Sequence, residues 1–317
     1  MREDDWIAQL KARFSHNGAD GMLGPGDDAA LLPIPADEVA AISVDAMVED
    51  VHFRSHWLTD YELGRRILCV SLSDLAAMAA TARGVLLAFQ TPTLPGRFTE
   101  QFWDGVAATL DEFDIALLGG NVTRTPGPVA LTCTVVGSVP AARAIRRDSA
   151  RVNDELWVTG LPGCAARARR SLESGDLQAT NVRAWTHPQP RLAEASALAG
   201  LGAMTAAIDI SDGLGIDLQR LLTASGRGAI VDLTSIVEDP IAQKLGLTIR
   251  DVLEGGEDYE LLFAAPPGKI LGLKAEFETQ RGTKLHALGR VTAARGIEFR
   301  GDGLKGYAPA GWDPFQT

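Results

Sequence analysis

The strongest constraint on the fold is an alternation of short apolar runs with longer amphipathic runs, which occurs twice along the 317 residues. Short apolar runs bounded by turn residues are typical of strands, and longer amphipathic runs are typical of helices. The predicted elements of the first cycle are 39–44, 61–80, 85–89, 98–113, 115–118 and 129–136. Those of the second are 155–159, 165–173, 190–201, 206–210, 214–224, 259–264, 269–279 and 285–291. The pattern predicts a mixed α/β fold.

The segment Val139–Asn153 separates the two cycles. It contains Pro140 and several arginines and has no clear apolar period, which is typical of a domain boundary. We therefore predict an N-terminal domain of residues 1–140 and a C-terminal domain of residues 141–317. Two segments, 15–36 and 236–258, are predicted as long loops, and such loops are usually functional or mobile in compact domains.

The charge balance restricts the possible ligands. The chain carries a formal net charge of −11, and residues 1–60 hold twelve acidic side chains against four basic ones. Nucleic-acid binding draws its affinity from clustered Lys and Arg, so we expect no nucleic-acid partner. If this chain binds a phosphorylated ligand, divalent cations must neutralise the phosphates.

Cysteine usage and hydropathy indicate the compartment. Cys69, Cys133 and Cys164 are far apart and have apolar neighbours, so they are predicted to be reduced core residues. The N-terminus is polar, and no stretch of about 18 uncharged apolar residues occurs. We expect a cytoplasmic protein that is neither exported nor membrane-spanning.

Carboxylates recur beside glycine turns, at the ends of predicted strands and inside one apolar helix. The segments that carry them are Gly24–Leu32, Ala40–Asp45, Val70–Ala79, Ile208–Leu214 and Gly255–Phe263. Oxygen ligands of this kind suit Mg²⁺, which prefers hard donors and keeps several waters. Five such segments in one chain favour a phosphate site that uses several metal ions.

Each segment alone has an ordinary structural alternative. Asp27 and Asp28 could form a turn or cap a helix, and Asp212 could be a helix N-cap. Asp74 could lie on a solvated helix face, whereas a buried carboxylate would need a partner or a metal. The glycines and acids of 255–258 could form a hairpin turn.

Three common enzyme motifs are missing from the sequence. There is no Gly-x-x-x-x-Gly-Lys-Ser/Thr run, which excludes a P-loop nucleotide site. His52 and His56 have helical spacing but lack the Glu of a zinc-protease helix. No Gly-x-Ser-x-Gly elbow is present, so acyl transfer by serine is not expected.

Read together and in order, the motifs resemble the thiamine-monophosphate kinase family. Its superfamily also holds aminoimidazole ribonucleotide synthetase, selenophosphate synthetase and the hydrogenase-maturation protein HypE. The segments that carry the resemblance are 26–30, 43–53, 72–78, 118–124, 209–214, 255–261 and the C-terminal 311–315.

The resemblance implies an aminoimidazole ribonucleotide synthetase-like fold of two α/β domains. The N-terminal domain would pair with its copy in a homodimer to build a β-barrel, with ATP sites near the interface. The implied activity is transfer of the γ-phosphoryl group of ATP to thiamine monophosphate, in line and without a covalent enzyme intermediate. The implied cofactor is Mg²⁺, in several copies, with ATP as co-substrate.

The resemblance also implies roles for individual residues. The implied metal ligands are Asp27, Asp45, Asp74, Asn121, Asp209 and Asp212. The implied ATP contacts are Gly120, Asn121, Arg147 and Ser211. The implied contacts to thiamine monophosphate are His52, Glu257, Asp258 and Trp312, whose indole ring is suited to stack on a pyrimidine.

The chain departs from the family pattern at two positions of interest. Asn121 stands where the family usually has Asp, and Val44 replaces a hydroxyl residue before Asp45. Two alternatives therefore stay open: a diverged relative that phosphorylates another small molecule, and a non-catalytic nucleotide-binding scaffold. The variant Asn121→Asp tests whether the amide weakens a metal site. A large gain in turnover rate would indicate a weakened site, and an unchanged rate would indicate that the site accommodates the amide.

Overall fold

The computed structural model describes residues 3–14, 21–176, 182–301, 304 and 306–311. The chain divides into two compact units. Unit 1 comprises Met1–Leu75 and Ala80–Ala142, and unit 2 comprises Ala76–Ala79 and Arg143–Thr317. Both units combine helices with a sheet, which confirms the predicted mixed α/β architecture.

Unit 1 is built on a four-stranded sheet. Its elements are α1 (Glu3–Phe14), β1 (Glu38–Val48), α2 (Asp60–Ala77, whose last two residues belong to unit 2), β2 (Thr81–Thr91), α3 (Glu100–Phe113), β3 (Ala116–Arg124) and β4 (Ala130–Pro140). The strand order is β1-β4-β2-β3, and only β2 and β3 are parallel. In the described part of the chain no sheet closes on itself, so the barrel expected from the resemblance is not formed by these residues alone.

One face of this sheet is covered and the other is open along β1. Phe102 and Val106, one helical turn apart on α3, are buried, and Phe102 packs edge to face against Phe89 of β2 with ring centroids 5.7 Å apart. On β1, Ile42 and Val44 point away from the buried face and remain 65% and 60% exposed. An edge strand with exposed apolar side chains is unusual in a monomer.

Unit 2 is built on a six-stranded sheet between two layers of helices. Its elements are β5 (Glu155–Thr159), α4 (Cys164–Glu173), α5 (Arg183–Thr186), α6 (Leu192–Gly200), β6 (Ala206–Asp209), α7 (Leu214–Ser225), β7 (Gly228–Asp232), α8 (Thr234–Val237), α9 (Pro240–Leu245), α10 (Ile249–Glu254), β8 (Leu261–Ala265), α11 (Lys274–Arg281), β9 (Leu285–Thr292) and β10 (Gly296–Arg300). The strand order is β10-β7-β9-β5-β8-β6. Leu156 of β5 joins the core beneath α7, whereas its neighbour Trp157 joins the core beneath α6 and α11.

The structure corrects two predicted features. Segment 236–258 is not one long loop, because it contains α9 and α10, each only six residues long. Helices this short show no apolar period; they are started by Asp239 and Thr248, whose side chains accept hydrogen bonds from the first turn. Strand β3 extends well beyond the predicted end at residue 118. Within the described residues, no helix has the length and apolar character needed to cross a membrane.

Candidate functional site

The structure places the predicted site residues in separate groups. Unit 1 holds a cavity beside β3 and a pair of aspartates between β1 and α2. Unit 2 holds a loop between β6 and α7 and a second loop before β8. Trp312 lies outside the described residues.

The cavity beside β3, here called the β3 cavity, brings together Asp27, Gly120 and Asn121. Its volume is about 360 Å³. It is also lined by three buried aromatic rings, those of Trp6, Phe89 and Trp103. A Cβ atom at residue 120 would lie 1.8 Å from the backbone oxygen of Leu87, so only glycine allows β3 to pass this close to β2. The Asn121 amide donates to Thr123 Oγ1 at 3.0 Å, which leaves the Asn121 side-chain oxygen to meet a cation.

The aspartate pair consists of Asp45 on β1 and Asp74 on α2. Burial raises the pKa of Asp45 to about 6, the negative charge of Asp74 adds to this rise, and a hydrogen bond with Ser71 opposes it. The Ser43 hydroxyl donates a short hydrogen bond to Asp74. Asp45 lies within β1 rather than at its end, where the sequence placed it. Two oxygen donors that repel each other match the donor set preferred by Mg²⁺, which would relieve the repulsion.

The aspartate pair and the β3 cavity lie at opposite edges of one sheet. Asp45 pairs with Cys133, Cys133 with Leu87, and Leu87 with Gly120, which forms a single row across four strands. Three strand spacings separate Asp45 from Gly120 by about 14 Å. Over the ranges that the structure describes, no three His, Cys, Asp or Glu side chains converge as a metal cluster. Asp45 and Asp74 together supply two carboxylates, and Mg²⁺ is commonly bound through one or two carboxylates plus waters and substrate phosphates.

In unit 2, Asp209 ends β6 and residues 211–213 lead into α7. The buried carboxylate of Asp217 accepts the backbone N–H groups of Ser211, Asp212 and Gly213 at 3.1, 3.0 and 3.2 Å. Gly213, not Asp212, is the N-cap residue of α7. The structural alternative for Asp212 is therefore wrong, and its carboxylate does not cap the helix.

Arg220 of α7 connects the two aspartates. Its Nη1 donates to Asp212 Oδ2 at 2.5 Å and to Asp217 Oδ1 at 2.7 Å. Sequence reasoning missed both Asp217 and Arg220. Their spacing of three residues reads as an ordinary charge pair on a helix surface, and nothing in it indicates that Asp217 turns inward to hold the preceding loop.

The acids that precede β8 have distinct partners. The Trp185 indole N–H donates to Glu257 Oε2 at 2.6 Å. Asp258 accepts the N–H groups of Gly163 and Ala165 at the start of α4, at 2.7 and 2.9 Å. Burial raises the pKa of Asp258 to about 8 in spite of these two hydrogen bonds. Asp258 thus ties the loop to α4, and the Trp185 side chain orients the carboxylate of Glu257.

Glu260 anchors the same loop from below. Its buried carboxylate accepts two hydrogen bonds from Arg191 and one from Thr159. Glu257 and Tyr259 have φ angles of 69° and 53°, a left-handed conformation that costs about 1–3 kcal/mol for residues other than glycine. The fixed neighbours hold this strained backbone in place.

Backbone contacts join the two loops of unit 2. Glu257 N–H donates to the carbonyl of Ser211 at 2.7 Å. A Cβ atom at Gly256 would lie 2.4 Å from the same Ser211 oxygen, so this contact requires glycine. The loop that carries Glu257 is therefore held directly against the loop that carries Asp212.

Arg147 lies toward the other end of α7 from the 211–213 loop, and His52 belongs to unit 1. The Arg147 carbonyl accepts from Ser225 at the C-terminal end of α7, while Ser211 precedes the N-terminal end, so the length of α7, about 17 Å, lies between these two points. In unit 1, His52 Nδ1 accepts the backbone N–H of Val48 at 3.1 Å. The structure does not bring Arg147 beside Ser211.

Gly311, the last described residue, lies against the 211–213 loop of unit 2. A Cβ atom at Gly311 would lie 2.7 Å from the carbonyl oxygen of Asp212. The last described residue before Trp312 is therefore packed against the 211–213 loop.

Comparison with known proteins gives consistent results. Residues 26–139 match the family model of the AIR synthase related protein, N-terminal domain, and residues 151–302 match that of its C-terminal domain. The thiamine-monophosphate kinase of Salmonella typhimurium is 35% identical over 323 residues, which covers 98% of this chain and 97% of the relative.

Solved structures give the same result. The thiamine-monophosphate kinase of Stenotrophomonas maltophilia superposes with a TM-score of 0.81 at 34% identity, covering 94% of this chain and 95% of that one. The protein AaThiL, complexed with AMPPCP and TMP, shares the fold with a TM-score of 0.75 at 23% identity and 98% coverage of both chains.

Proposed function

The chain belongs to the thiamine-monophosphate kinase family of the AIR synthase related proteins, and on this premise we propose that it transfers the γ-phosphoryl group of ATP to thiamine monophosphate, with thiamine diphosphate and ADP as products. The observation that carries the proposal is a similarity to a kinase of this activity over nearly the whole length of both chains. The carboxylates at the matched motifs support it, because they supply the oxygen donors that such a transfer needs.

Phosphoryl transfer between two phosphate groups brings two polyanions together. The protein therefore has to position the substrates and compensate their charge, and no side chain needs to act as a covalent nucleophile. Asp45 and Asp74 in unit 1 and Asp209 and Asp212 in unit 2 would hold Mg²⁺, which supplies that positive charge when it is bound. Asp27 and Asn121 add oxygen donors beside the β3 cavity.

The nucleotide and the acceptor use different residues in this proposal. Gly120 and Asn121 contact ATP at the β3 cavity, whose aromatic lining suits a planar base. In unit 2, Ser211 and Arg147 remain the ATP contacts that the resemblance implies, at opposite ends of α7. For the acceptor, Glu257 is the proposed contact in unit 2, where Trp185 orients its carboxylate. The resemblance also implies Trp312 and, in unit 1, His52.

Asp258 acts on the acceptor through the loop. Its carboxylate is occupied by the N–H groups at the start of α4, so it contributes by fixing the backbone beside Glu257. In this proposal Glu257 touches the substrate, whereas Asp258 fixes the conformation of the loop beside it.

The homodimer and its barrel are part of the proposal. Unit 1 has an open sheet whose edge strand β1 exposes Ile42 and Val44. A second copy that covers this face would bury apolar surface and close the sheet into a barrel. Analytical ultracentrifugation should then find a dimer, and Ile42→Lys should shift it toward monomer.

The activity test uses the purified protein with ATP, Mg²⁺ and thiamine monophosphate, and separates the products by chromatography. Thiamine diphosphate and ADP should appear in equal amounts. Asp212→Ala should abolish turnover while its melting temperature stays close to that of the native chain. The matched control, Asp111→Ala on the exposed face of α3, should leave turnover unchanged.

Two outcomes would contradict the proposal. ADP release that another acceptor stimulates, without thiamine diphosphate, would indicate a diverged kinase. Tight ATP binding without acceptor-dependent turnover would indicate a scaffold.

A further inference from the structure

The guanidinium of Arg220 lies beside the carboxylate of Asp212, where a metal ion bound by Asp212 would also lie. The guanidinium contacts Asp212 at 2.5 Å, and the Asp212 and Arg220 side chains are 24% and 43% exposed. It also contacts Asp217, whose side chain is only 1% exposed and already accepts three backbone N–H groups. Arg220 therefore has two partners. Asp217 is buried and fixed by its other hydrogen bonds, whereas Asp212 is partly exposed and can exchange the guanidinium for another cation.

A guanidinium and a divalent cation compete for the same carboxylate. Each compensates the negative charge of Asp212, so binding of the metal must displace the guanidinium or weaken its contact. Asp217 remains beside Arg220 in either case, because the N–H groups of the 211–213 loop hold its carboxylate in place.

We propose that Arg220 is the internal counter-cation of Asp212 in the metal-free protein, and that Asp217 retains the guanidinium when a divalent cation takes Asp212. This inference rests on the proposed function, since it takes Asp212 as a metal ligand. Arg220 then lowers the affinity of the unit 2 site for a free cation. It is a positioning residue and does not touch the reacting atoms.

Unit 1 offers an internal comparison. Ser43 is the hydrogen-bond partner of Asp74, and among the described residues no guanidinium pairs with Asp45 or Asp74. The proposed metal positions of units 1 and 2 should therefore differ when no metal is bound. Asp45 and Asp74 then repel each other, whereas Arg220 compensates the charge of Asp212.

The test measures binding of Mn²⁺ alone, without nucleotide, by electron paramagnetic resonance at constant ionic strength. The full chain carries Asp45→Asn and Asp74→Asn so that unit 2 dominates the signal. Arg220→Gln should tighten Mn²⁺ binding by about two- to fivefold, the range in which partly exposed ion pairs shift an equilibrium. Arg220→Lys keeps the charge and should stay close to the native affinity.

A matched control removes the same charge elsewhere. Arg300→Gln lies on β10, at the opposite sheet edge from β6, and pairs with Glu298 in the native chain. It should leave Mn²⁺ affinity unchanged. Arg220→Gln should also lower the melting temperature in EDTA by more than it does in saturating Mn²⁺, a difference that a purely structural role would not produce.

The possible failures can be told apart. If Asp212→Ala binds Mn²⁺ as tightly as its parent, Asp212 is not a ligand, and both the proposed metal role and this inference are wrong. If Asp212→Ala loses binding but Arg220→Gln matches or falls below the native affinity, only the inference about Arg220 is overturned.

Discussion

Replacing Asp45 by Asn should stabilise the metal-free protein while it weakens metal binding. Asn keeps the shape of the side chain and removes the charge that faces Asp74. Two causes, burial and the Asp74 charge, raise the pKa of Asp45 from 3.8 to about 6. The native fold thus favours the neutral acid, and ionisation of this group at neutral pH opposes folding.

The size and the pH range follow from that pKa. The difference is 6 − 3.8, about 2.2 pKa units, and at 1.36 kcal/mol per unit the ionised carboxylate costs at most about 3 kcal/mol. Because the folded-state pKa of Asp45 is raised, the stability that its protonated carboxyl group contributes is fully present below pH 3.8. This stability is lost as the pH rises through 6. At about 2.1 cal/mol/K per residue, unfolding of 317 residues has an entropy of about 0.67 kcal/mol/K, so 3 kcal/mol corresponds to about 4–5 °C in melting temperature.

The assay is thermal unfolding in EDTA from pH 4 to pH 8. The advantage of Asp45→Asn should grow between pH 4 and pH 6 and stay constant above pH 6. The control Asp37→Asn changes an exposed turn and should follow the native curve. Saturating Mg²⁺ should reduce the advantage, because the native chain then gains a ligand. Parallel curves for Asp45→Asn and the native chain at every pH would refute the reasoning.

Two other predictions concern unit 2. Arg191→Met leaves the buried Glu260 without its ion-pair partner and should lower the free energy of unfolding by about 3–5 kcal/mol in urea titrations; the double variant with Glu260→Leu should recover most of this loss, and a loss by Arg191→Met below about 1 kcal/mol would contradict it. Trp185→Phe removes the donor to Glu257, so KM for thiamine monophosphate should rise about three- to tenfold with little change in kcat; the rise stays below the more than tenfold effect of losing a hydrogen bond to a charged group, about 1.5–3 kcal/mol, because the donor acts on the substrate only through Glu257. An unchanged KM would show that Glu257 needs no orientation.

Much of the fold could be predicted from apolar periodicity. The predicted helix 98–113 corresponds to α3, and the predicted strand 285–291 corresponds to β9, because each buries a regular face. Short helices such as α9 were not predictable in this way, since their boundaries depend on single capping residues. Nor was the extension of β3 through Gly120, because this strand is formed by close approach to β2 rather than by apolar side chains.

The sequence predicted which residues form the candidate site, but it did not predict which groups their side chains contact. The motifs located the carboxylates of 209–212 and 257–260, and the structure distinguishes their surroundings. Glu260 and Asp258 look alike in the sequence, yet Glu260 pairs with Arg191 and Asp258 accepts N–H groups at the start of α4. Such partners lie far away in the chain, so no local pattern contains them.

The uncompensated pair of Asp45 and Asp74 has a consequence for the protein in the cell. A ligand that binds only the folded state raises its population, and in the proposed function the ligand that relieves the repulsion is a common metal ion. Unit 1 would then be more often unfolded, and more often degraded, when magnesium is scarce. The amount of intact protein would then depend on the magnesium concentration, in addition to any effect of magnesium on turnover.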